Sequence, residues 1–491
     1  MVLLMVSLAF TWSFQILSTT PSDGGQGKKH RSKLNSTDYR YFLHITDFHL
    51  DDHYLQGATM KSACHKLPDA LTSPLQDVIA GKFGVPGCDT PTALAQNTVD
   101  WIAKEWKDKL DFVVWTGDNA RHDWDKTMKR SRSNVYDSNR IMAKMMQEAF
   151  GDIPLVPCLG NNDVIPHNRI TQGGQLDKNT DKLLDFYQDL WSKWIPQEQR
   201  PNFLKYGAFV SEVGPRLRAL SINSLYFIKR NKKMLGCRKP GTAKQHMDWF
   251  EQQLLQARAD GYRMVVLGHV PPSEDNYRSS CLDSYTQISA TYSDVIIGHL
   301  YGHLNKDHFL LYDTSRMDTR SSDGDEMDTT DKDNQFKHSN QQPIVATRKI
   351  KVPKFARLLH DMYASLNPRY DQLGNQPFDK SPVVAIQVTP SVLPKYYPTV
   401  RLYRYTTDAQ GAALLMGYDQ YFANTTEWEQ QPDGPHQYQL LYSTDDYGMD
   451  DLSALSFFDL AKRMVDPRDK TGGRLWKSYV NNIFVHTRMI F

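Results

Sequence analysis

The chain has 491 residues, of which 40% are hydrophobic, 23% charged and 11% aromatic, a globular composition that excludes a chain with no packed core. One large domain with extensions, or two domains, fits this length. A formal net charge of +2 excludes a strong global steering field, so any attraction for a polyanion must be local.

The first 18 residues, MVLLMVSLAFTWSFQILS, are apolar and uncharged, close to the minimum for a membrane span. Residues 1–20 are therefore expected to be a signal anchor, with a cleaved signal peptide as the alternative. Residues 21–39, with their Gly, Ser and Lys, read as a flexible stalk. Both readings deliver the rest of the chain to a lumen or the exterior. The sequons at Asn35 and Asn424 agree, as glycosylation acceptors. The basic cluster Lys28, Lys29, Arg31 and Lys33 follows the apolar run, which opposes that orientation under the positive-inside rule. A basic leader missing from the chain as written, or cleavage of the run, would reconcile the two.

Five cysteines, Cys64, Cys88, Cys158, Cys237 and Cys281, show no C-x-x-C spacing, which weakens a zinc-ribbon reading. An odd count leaves a free thiol or a pair between chains. The pairing expected is Cys64 with Cys88 and Cys237 with Cys281, Cys158 staying buried and free; spacing alone leaves other connectivities open.

YRYFLHITDFHLD is the first predicted strand. A helix is predicted at DTPTALAQNTVDWIAKEW, with Thr90 as N-cap and Pro91 at its first position. KLDFVVWTGDNARHD, IPLVPCLGNND, YRMVVLGHVPP and SDVIIGHLYGHLN are apolar runs that stop at polar clusters, and DHFLLYD is a return strand. Helices are predicted at NRIMAKMMQEAF, at AKQHMDWFEQQLLQARADG ending on Gly261, and at LSALSFFDLAKRMV. Strands alternating with helices imply an α/β fold of sheets flanked by helices. Residues 315–340 are polar and acidic and read as a disordered loop within a catalytic domain spanning 40–405; calcium-loop spacing is absent. SPVVAIQVTPSVLPKYYPTVRLYRY completes a sheet, and 406–491 is expected to pack on it as a C-terminal extension.

The clusters are Asp47-Phe48-His49, Gly117-Asp118-Asn119, Gly160-Asn161-Asn162-Asp163, Gly268-His269 and Gly302-His303-Leu304-Asn305. Sites collect beyond the carboxyl ends of strands in layered α/β proteins. Asp47 and His49, two apart on extended chain, would leave one face together. Asp118 has two oxygens and can bridge two ions, and the preceding glycines let the backbone turn each ligand inward.

This order, D-x-H, G-D, G-N, G-H and G-H-x-N, resembles the calcineurin-like metallophosphoesterases, whose fold is a pair of mixed sheets packed together with helices outside. TGDNARHD and GHVPP are most similar to the acid-sphingomyelinase-like branch. GNNDVIPHN, NSLYF, GHLYGHLNKDHF and VTPSVLPKYYPTVRLY resemble the endopolyphosphatases, vacuolar enzymes that cut inorganic polyphosphate internally. The resemblance runs from Tyr41 to Tyr405.

It implies two divalent metal ions (Mn, Mg, Co, Zn or Fe). One would take Asp47, His49, Asp118 and Asn305; the other Asp118, Asn161, His269 and His303. His299, His303 and Asn305 share one face by alternation, so facing does not choose among them. His299 lies ~20 Å of extended chain before Asn305 and reads as structural. Asn305 stands where the family has a histidine, and its amide oxygen favours harder ions such as Mn²⁺ or Mg²⁺ over Zn²⁺. Asn162 stands where relatives carry a proton-donating histidine, which leaves His122 as the best nearby acid and His167 as a second candidate at the substrate. The implied reaction is in-line attack of a metal-activated water on a phosphoanhydride.

The substrate would be polyphosphate, with Arg121 as its best cationic contact. Lys126–Arg132 and Lys229–Lys233 are further candidates that read equally well as solvated faces. Nucleic acid is not expected as a partner, since aromatic-basic interleaving is absent. The expected location is the vacuolar membrane, attached through the apolar N-terminus with the catalytic domain lumenal. The alternatives are a sphingomyelinase-like phosphodiesterase acting on a lipid or nucleotide, and a catalytically silent lumenal polyanion-binding protein.

Overall fold

The computed structural model describes residues 39–68, 78–171, 178–314, 353–366, 381–468 and 470–487. The N-terminal apolar run, the stalk, Asn35 and the acidic loop 315–340 lie outside the described residues. Among the described residues no helix is long and apolar enough to cross a membrane.

Fourteen strands are present among the described residues. They are β1 (Arg40–Ile45), β2 (Leu50–Asp51), β3 (Thr90–Pro91), β4 (Leu110–Trp115), β5 (Leu155–Pro157), β6 (Phe209–Gly214), β7 (Leu217–Ser221), β8 (Arg263–Leu267), β9 (Ile296–Tyr301), β10 (His308–Asp313), β11 (Val383–Val388), β12 (Thr399–Thr407), β13 (Ala413–Ala423) and β14 (Tyr438–Ser443). They form two six-stranded mixed sheets, ordered β14-β13-β12-β1-β4-β5 and β10-β11-β9-β8-β7-β6, with β2 and β3 paired separately. In the first sheet β1, β4 and β5 run parallel and β12 joins β1 antiparallel. In the second, β7, β8, β9 and β11 run parallel.

The central strands carry nearly continuous apolar runs because both faces are covered. Helix α1 (Thr92–Trp106) packs Trp101 against Tyr421 and Tyr438 of the first sheet, ring centroids 5.5 and 4.9 Å apart. Helix α2 (Arg132–Phe150) begins in a capping box at Ser131 and Asn134. Helix α3 (Lys178–Leu190) follows, then α4 (Arg200–Tyr206). On the second sheet α5 (Thr242–Asp260) stops at the left-handed Gly261 as expected, and α6 (Ser279–Thr291) stacks Tyr285 on Phe250. Helices α7 (Lys354–Ala364), α8 (Thr425–Gln430), α9 (Ala454–Val465) and α10 (Lys470–Ile483) complete the described set.

Two boundaries differ from expectation. Helix α1 starts at Thr92 with Pro91 as its extended N-cap, because Thr90 and Pro91 pair with Leu50 and Asp51 instead. The line drawn at residue 405 falls inside β12, and β13 and β14 continue the same sheet, so residues after 405 are built into it. The polar-aromatic alternation of those strands hid them. The disulfides join Cys64 to Cys88 and Cys237 to Cys281, and Cys158 is buried and free.

The facing sheets meet across a seam that is partly polar. His44 on β1 contacts Thr116 and Thr389 through its two ring nitrogens, at 2.9 and 2.8 Å. Tyr403 donates to Gln387 Oε1 at 3.0 Å. Arg401 on β12, fully buried, meets Asp307 Oδ1 at 2.6 Å and donates through Nε to Gln420. Tyr442 on β14 donates to the other oxygen of Asp307. Removing one member of such a pair leaves a buried charge uncompensated, so Arg401→Met should cost about 3–5 kcal/mol. Urea unfolding measures it, and adding Asp307→Leu should recover part of the loss.

Candidate metal centre

Each candidate ligand sits where a parallel strand leaves its sheet. Asp47 and His49 follow β1, Asp118 follows β4, Asn161 follows β5, His269 follows β8, and His303 and Asn305 follow β9. Five of them occupy left-handed backbone: φ is 53° at Asp47, 46° at His49, 58° at Asp118, 72° at His303 and 55° at Asn305. Such conformations are uncommon for L-residues and gather at functional sites. Asp47 and His49 are thus not same-face neighbours on extended chain; a tight turn aims both inward. Likewise β9 ends at Tyr301, so His303 and Asn305 converge through a loop rather than by strand alternation. His299 stays in the strand, its Nδ1 2.7 Å from the Tyr285 hydroxyl.

Backbone hydrogen bonds zip these loops together. Asp47, His49 and Leu50 donate to the carbonyls of Gly117, Asp118 and Asn119 at 2.9, 2.9 and 2.7 Å. Beneath them lies Asp163, completely buried. Its Oδ1 accepts from the amides of Asn119 (2.8 Å) and Ala120 (3.1 Å), and its Oδ2 from those of Asp118 (2.8 Å) and Gly160 (3.0 Å). At that spacing a Cβ on Gly160 would overlap the Asp118 amide, and one on Gly302 would overlap the Thr46 hydroxyl. These two glycines serve close approach of loops, not a special backbone angle.

Three clusters of potential ligand atoms result, Asp47–His49–Asp118, Asp118–His269–His303 and His49–Asp89–His122, each with all such atoms within 4.8 Å of one another; the first two hold the expected ligands. Those two share Asp118, whose Oδ2 lies 3.4 Å from His49 Nε2 and 3.1 Å from His269 Nε2. His49 Nδ1 faces the Ala120 carbonyl at 3.1 Å and His269 Nδ1 faces the Thr116 carbonyl at 2.7 Å. Donation there from Nδ1 makes Nε2 the ring nitrogen each histidine turns toward a cation. Asn161 sets its Oδ1 2.9 Å from His269 Nε2. Asp47 Oδ1, His49 Nε2 and Asn305 Oδ1 are buried without a hydrogen-bond partner. Unsatisfied buried polar atoms are costly, and a carboxylate, an imidazole and an amide oxygen left so are a donor set that fits divalent cations.

The surrounding residues divide differently from expectation. Asn162 donates its backbone and side-chain amides to the two oxygens of Asp118, at 2.7 and 2.8 Å. His167 Nε2 accepts from the Asn161 amide at 2.7 Å, so it orients a candidate ligand. Arg121 is 2% exposed, and its Nη1 and Nη2 donate to the carbonyls of His122 and Met128. A guanidinium committed to backbone inside the fold cannot grip an incoming phosphate, and its assignment to substrate is corrected. His122 stacks between the His49 and Trp124 rings, centroids 3.9 and 4.1 Å away. Its Nδ1 meets Asp89 Oδ1 at 2.6 Å. Asp89 carries no motif; it arrives through the loop that Cys64–Cys88 closes, and sequence reasoning had no signal for it. Asp163 belonged to a recognised cluster but looked like any of its neighbours.

Burial alone would raise Asp118, yet His269 and His49 hold it well below the usual carboxylate range. Burial would lower His269, but Asp118 and Asp47 override it and push the imidazole up to about 9. Burial, helped by Arg130 and Arg230, brings His167 down to about 4.

The calcineurin-like phosphoesterase family matches residues 41–306, more than half of the chain, and the chain belongs to that family. It is 35% identical over 413 residues to an endopolyphosphatase of Cryptococcus neoformans, covering 77% of this chain and 59% of that one. An endopolyphosphatase of Saccharomyces cerevisiae is 40% identical over 288 residues, 55% of this chain and 41% of the relative. One from Schizosaccharomyces pombe is 33% identical over 383 residues, covering 74% and 61%. The chain thus spans roughly two-fifths to three-fifths of the length of these relatives.

In the chelated protein at pH 7, His269 carries a proton that a cation must displace. Loading with Mn²⁺ at pH 7 should release about one proton or more per chain, read by calorimetry in buffers of different ionisation enthalpy. Affinity should rise from pH 7 to 9 and then level off. Because the folded pKa is raised above 6.5, the ion-pair contribution to chelated-state stability is full below pH 6.5 and lost as pH passes 9.

Proposed function

We propose that this calcineurin-like phosphoesterase is an endopolyphosphatase, hydrolysing internal phosphoanhydride bonds of inorganic polyphosphate to shorter chains. The observation that carries the reading is the shared Asp118 carboxylate, which interlocks two ligand clusters around unpartnered buried donor atoms. The relatives, all named for polyphosphate cutting, supply the substrate class.

One divalent ion would be held by Asp47, His49, Asp118 and Asn305, the other by Asp118, Asn161, His269 and His303. Bound ions would polarise phosphate oxygens and acidify a water molecule. The chain's own residues do the rest. Asn162 fixes the Asp118 carboxylate between the two clusters through two hydrogen bonds. Asp89 holds His122 by Nδ1, which leaves Nε2 to give a proton to the departing phosphate oxygen. A phosphate leaving group demands less protonation than an alkoxide, so an asparagine at 162 is compatible with turnover. The two disulfides suit an oxidising lumen, the vacuole in this reading.

Long-chain polyphosphate incubated with the protein should shorten to intermediate lengths on a gel. Unshortened chains, or orthophosphate released from ends alone, would overturn the assignment. Chelation should abolish cutting, and Mn²⁺, Mg²⁺ or Co²⁺ should restore it. Asp118→Asn should lower the rate roughly a thousandfold with the fold intact by circular dichroism. Asn305→His should move metal preference toward Zn²⁺, measured as activity and bound metal across the ion series.

A further inference from the structure

The metal centre accounts for the bond that is cut but not for how a long anionic chain is held beyond it. A cavity of about 550 Å³ is lined on one side by Ile165, Pro166 and Arg169 and on the other by Lys233, Met234 and Leu235. The segment that carries Ile165, Pro166 and Arg169 is tied to the centre, since His167 accepts from the Asn161 side chain and the Asn168 amide donates to the Asn161 carbonyl at 3.2 Å. The loop over its far wall exposes Lys229, Arg230, Lys232 and Lys233. Among the described residues no carboxylate pairs with Arg169, Lys229, Arg230 or Lys233.

A solvated basic patch needs no frame, and this one has a rigid frame. Asn231, 1% exposed, lies amid the lysines and donates its side-chain amide to the carbonyls of Ile170 (2.8 Å) and Leu225 (3.0 Å). The first of these bonds fastens the basic loop to the segment that carries Arg169. Arg278 donates to the Asn231 carbonyl at 3.0 Å, Lys229 N donates to the Asn276 carbonyl at 2.8 Å, and Cys237–Cys281 ties the end of the loop to α6. The other basic run reaches the same place, since Arg132 donates to Asn179 Oδ1 at 3.1 Å and Asn179 lines the cavity. Cations held in place by packing lose little freedom when an anion binds, which is how preorganisation raises affinity.

We propose that this groove is the arm site of the enzyme, in which Arg169, Arg230 and Lys233 hold polyphosphate units remote from the bond being cut. The inference rests on the polyphosphate reading and adds to it a reason for internal cutting. A chain anchored several units from the metals presents an interior linkage to them, not its end.

The test compares wild type with Arg169→Gln/Arg230→Gln/Lys233→Gln on long-chain polyphosphate and on tripolyphosphate, which is too short to span both places. A second triple variant, Lys104→Gln/Lys144→Gln/Lys193→Gln, removes the same charge elsewhere on the surface. Binding of fluorophore-labelled long-chain polyphosphate is measured in parallel, with metal removed by chelation. In the groove variant KM for long chains should rise roughly tenfold, so that the ratio of long-chain to tripolyphosphate efficiency falls by that factor. Long-chain binding should weaken alike, and the control variant should keep the wild-type ratio. An unchanged ratio, or an equal fall in the control, overturns the groove. Should wild type cut neither substrate, the endopolyphosphatase reading fails by itself. The binding comparison then still decides whether the groove holds polyphosphate.

Discussion

One carboxylate organises the centre without facing it. Asp163 accepts four backbone amides from two loops, those after β4 and β5, and so sets the spacing of Asp118 and Asn161. The loop after β1 is zipped onto the same frame, which brings Asp47 and His49 to Asp118. The loop after β9 joins when the His303 amide donates to Asp47 Oδ2 at 2.9 Å. Four loops from two sheets are thereby set relative to one another by main-chain donors. Side chains are left free to ligate, which is the division of labour that a preorganised site requires.

The second sheet's contribution is tied down from far along the chain. Asp307, two residues after Asn305, is gripped by Arg401 and Tyr442, and its amide reaches the Ile483 carbonyl at the end of α10. The last hundred residues therefore act on the ligand loop directly. A buried ion pair contributes little net stability in general; here its service is to place Asn305.

Much of this was legible in the sequence, for a physical reason. Strands covered on both faces are continuous apolar runs, and each run here stops abruptly at Asp, Asn or His, so strand ends and ligand types stood out together. The way the ligands converge was not legible. Alternation suggested that Asp47 and His49, or His303 and Asn305, share a strand face, whereas left-handed turns do the aiming. Arg121 beside the motif looked like a phosphate clamp because sequence adjacency to Asp118 says nothing about burial. Asp89 was invisible since a disulfide loop, not a strand, delivers it. Strands β13 and β14 and helix α10 were missed because their apolar residues are interleaved with polar ones. The basic runs were ambiguous until Asn231 was seen to anchor one of them.

The left-handed turns also limit the alphabet available to the pocket. Residues branched at Cβ fit that region poorly, while Asn, Asp and His tolerate it several-fold better than other non-glycine types. Those three are also the side chains that offer a cation oxygen or nitrogen at short reach. Backbone shape therefore filters candidates at positions 47, 49, 118, 303 and 305 before any ion does. An amide rather than an imidazole at 305 is an exchange inside that small vocabulary, and under the proposed ligand set it would retune hardness while the scaffold stays as it was.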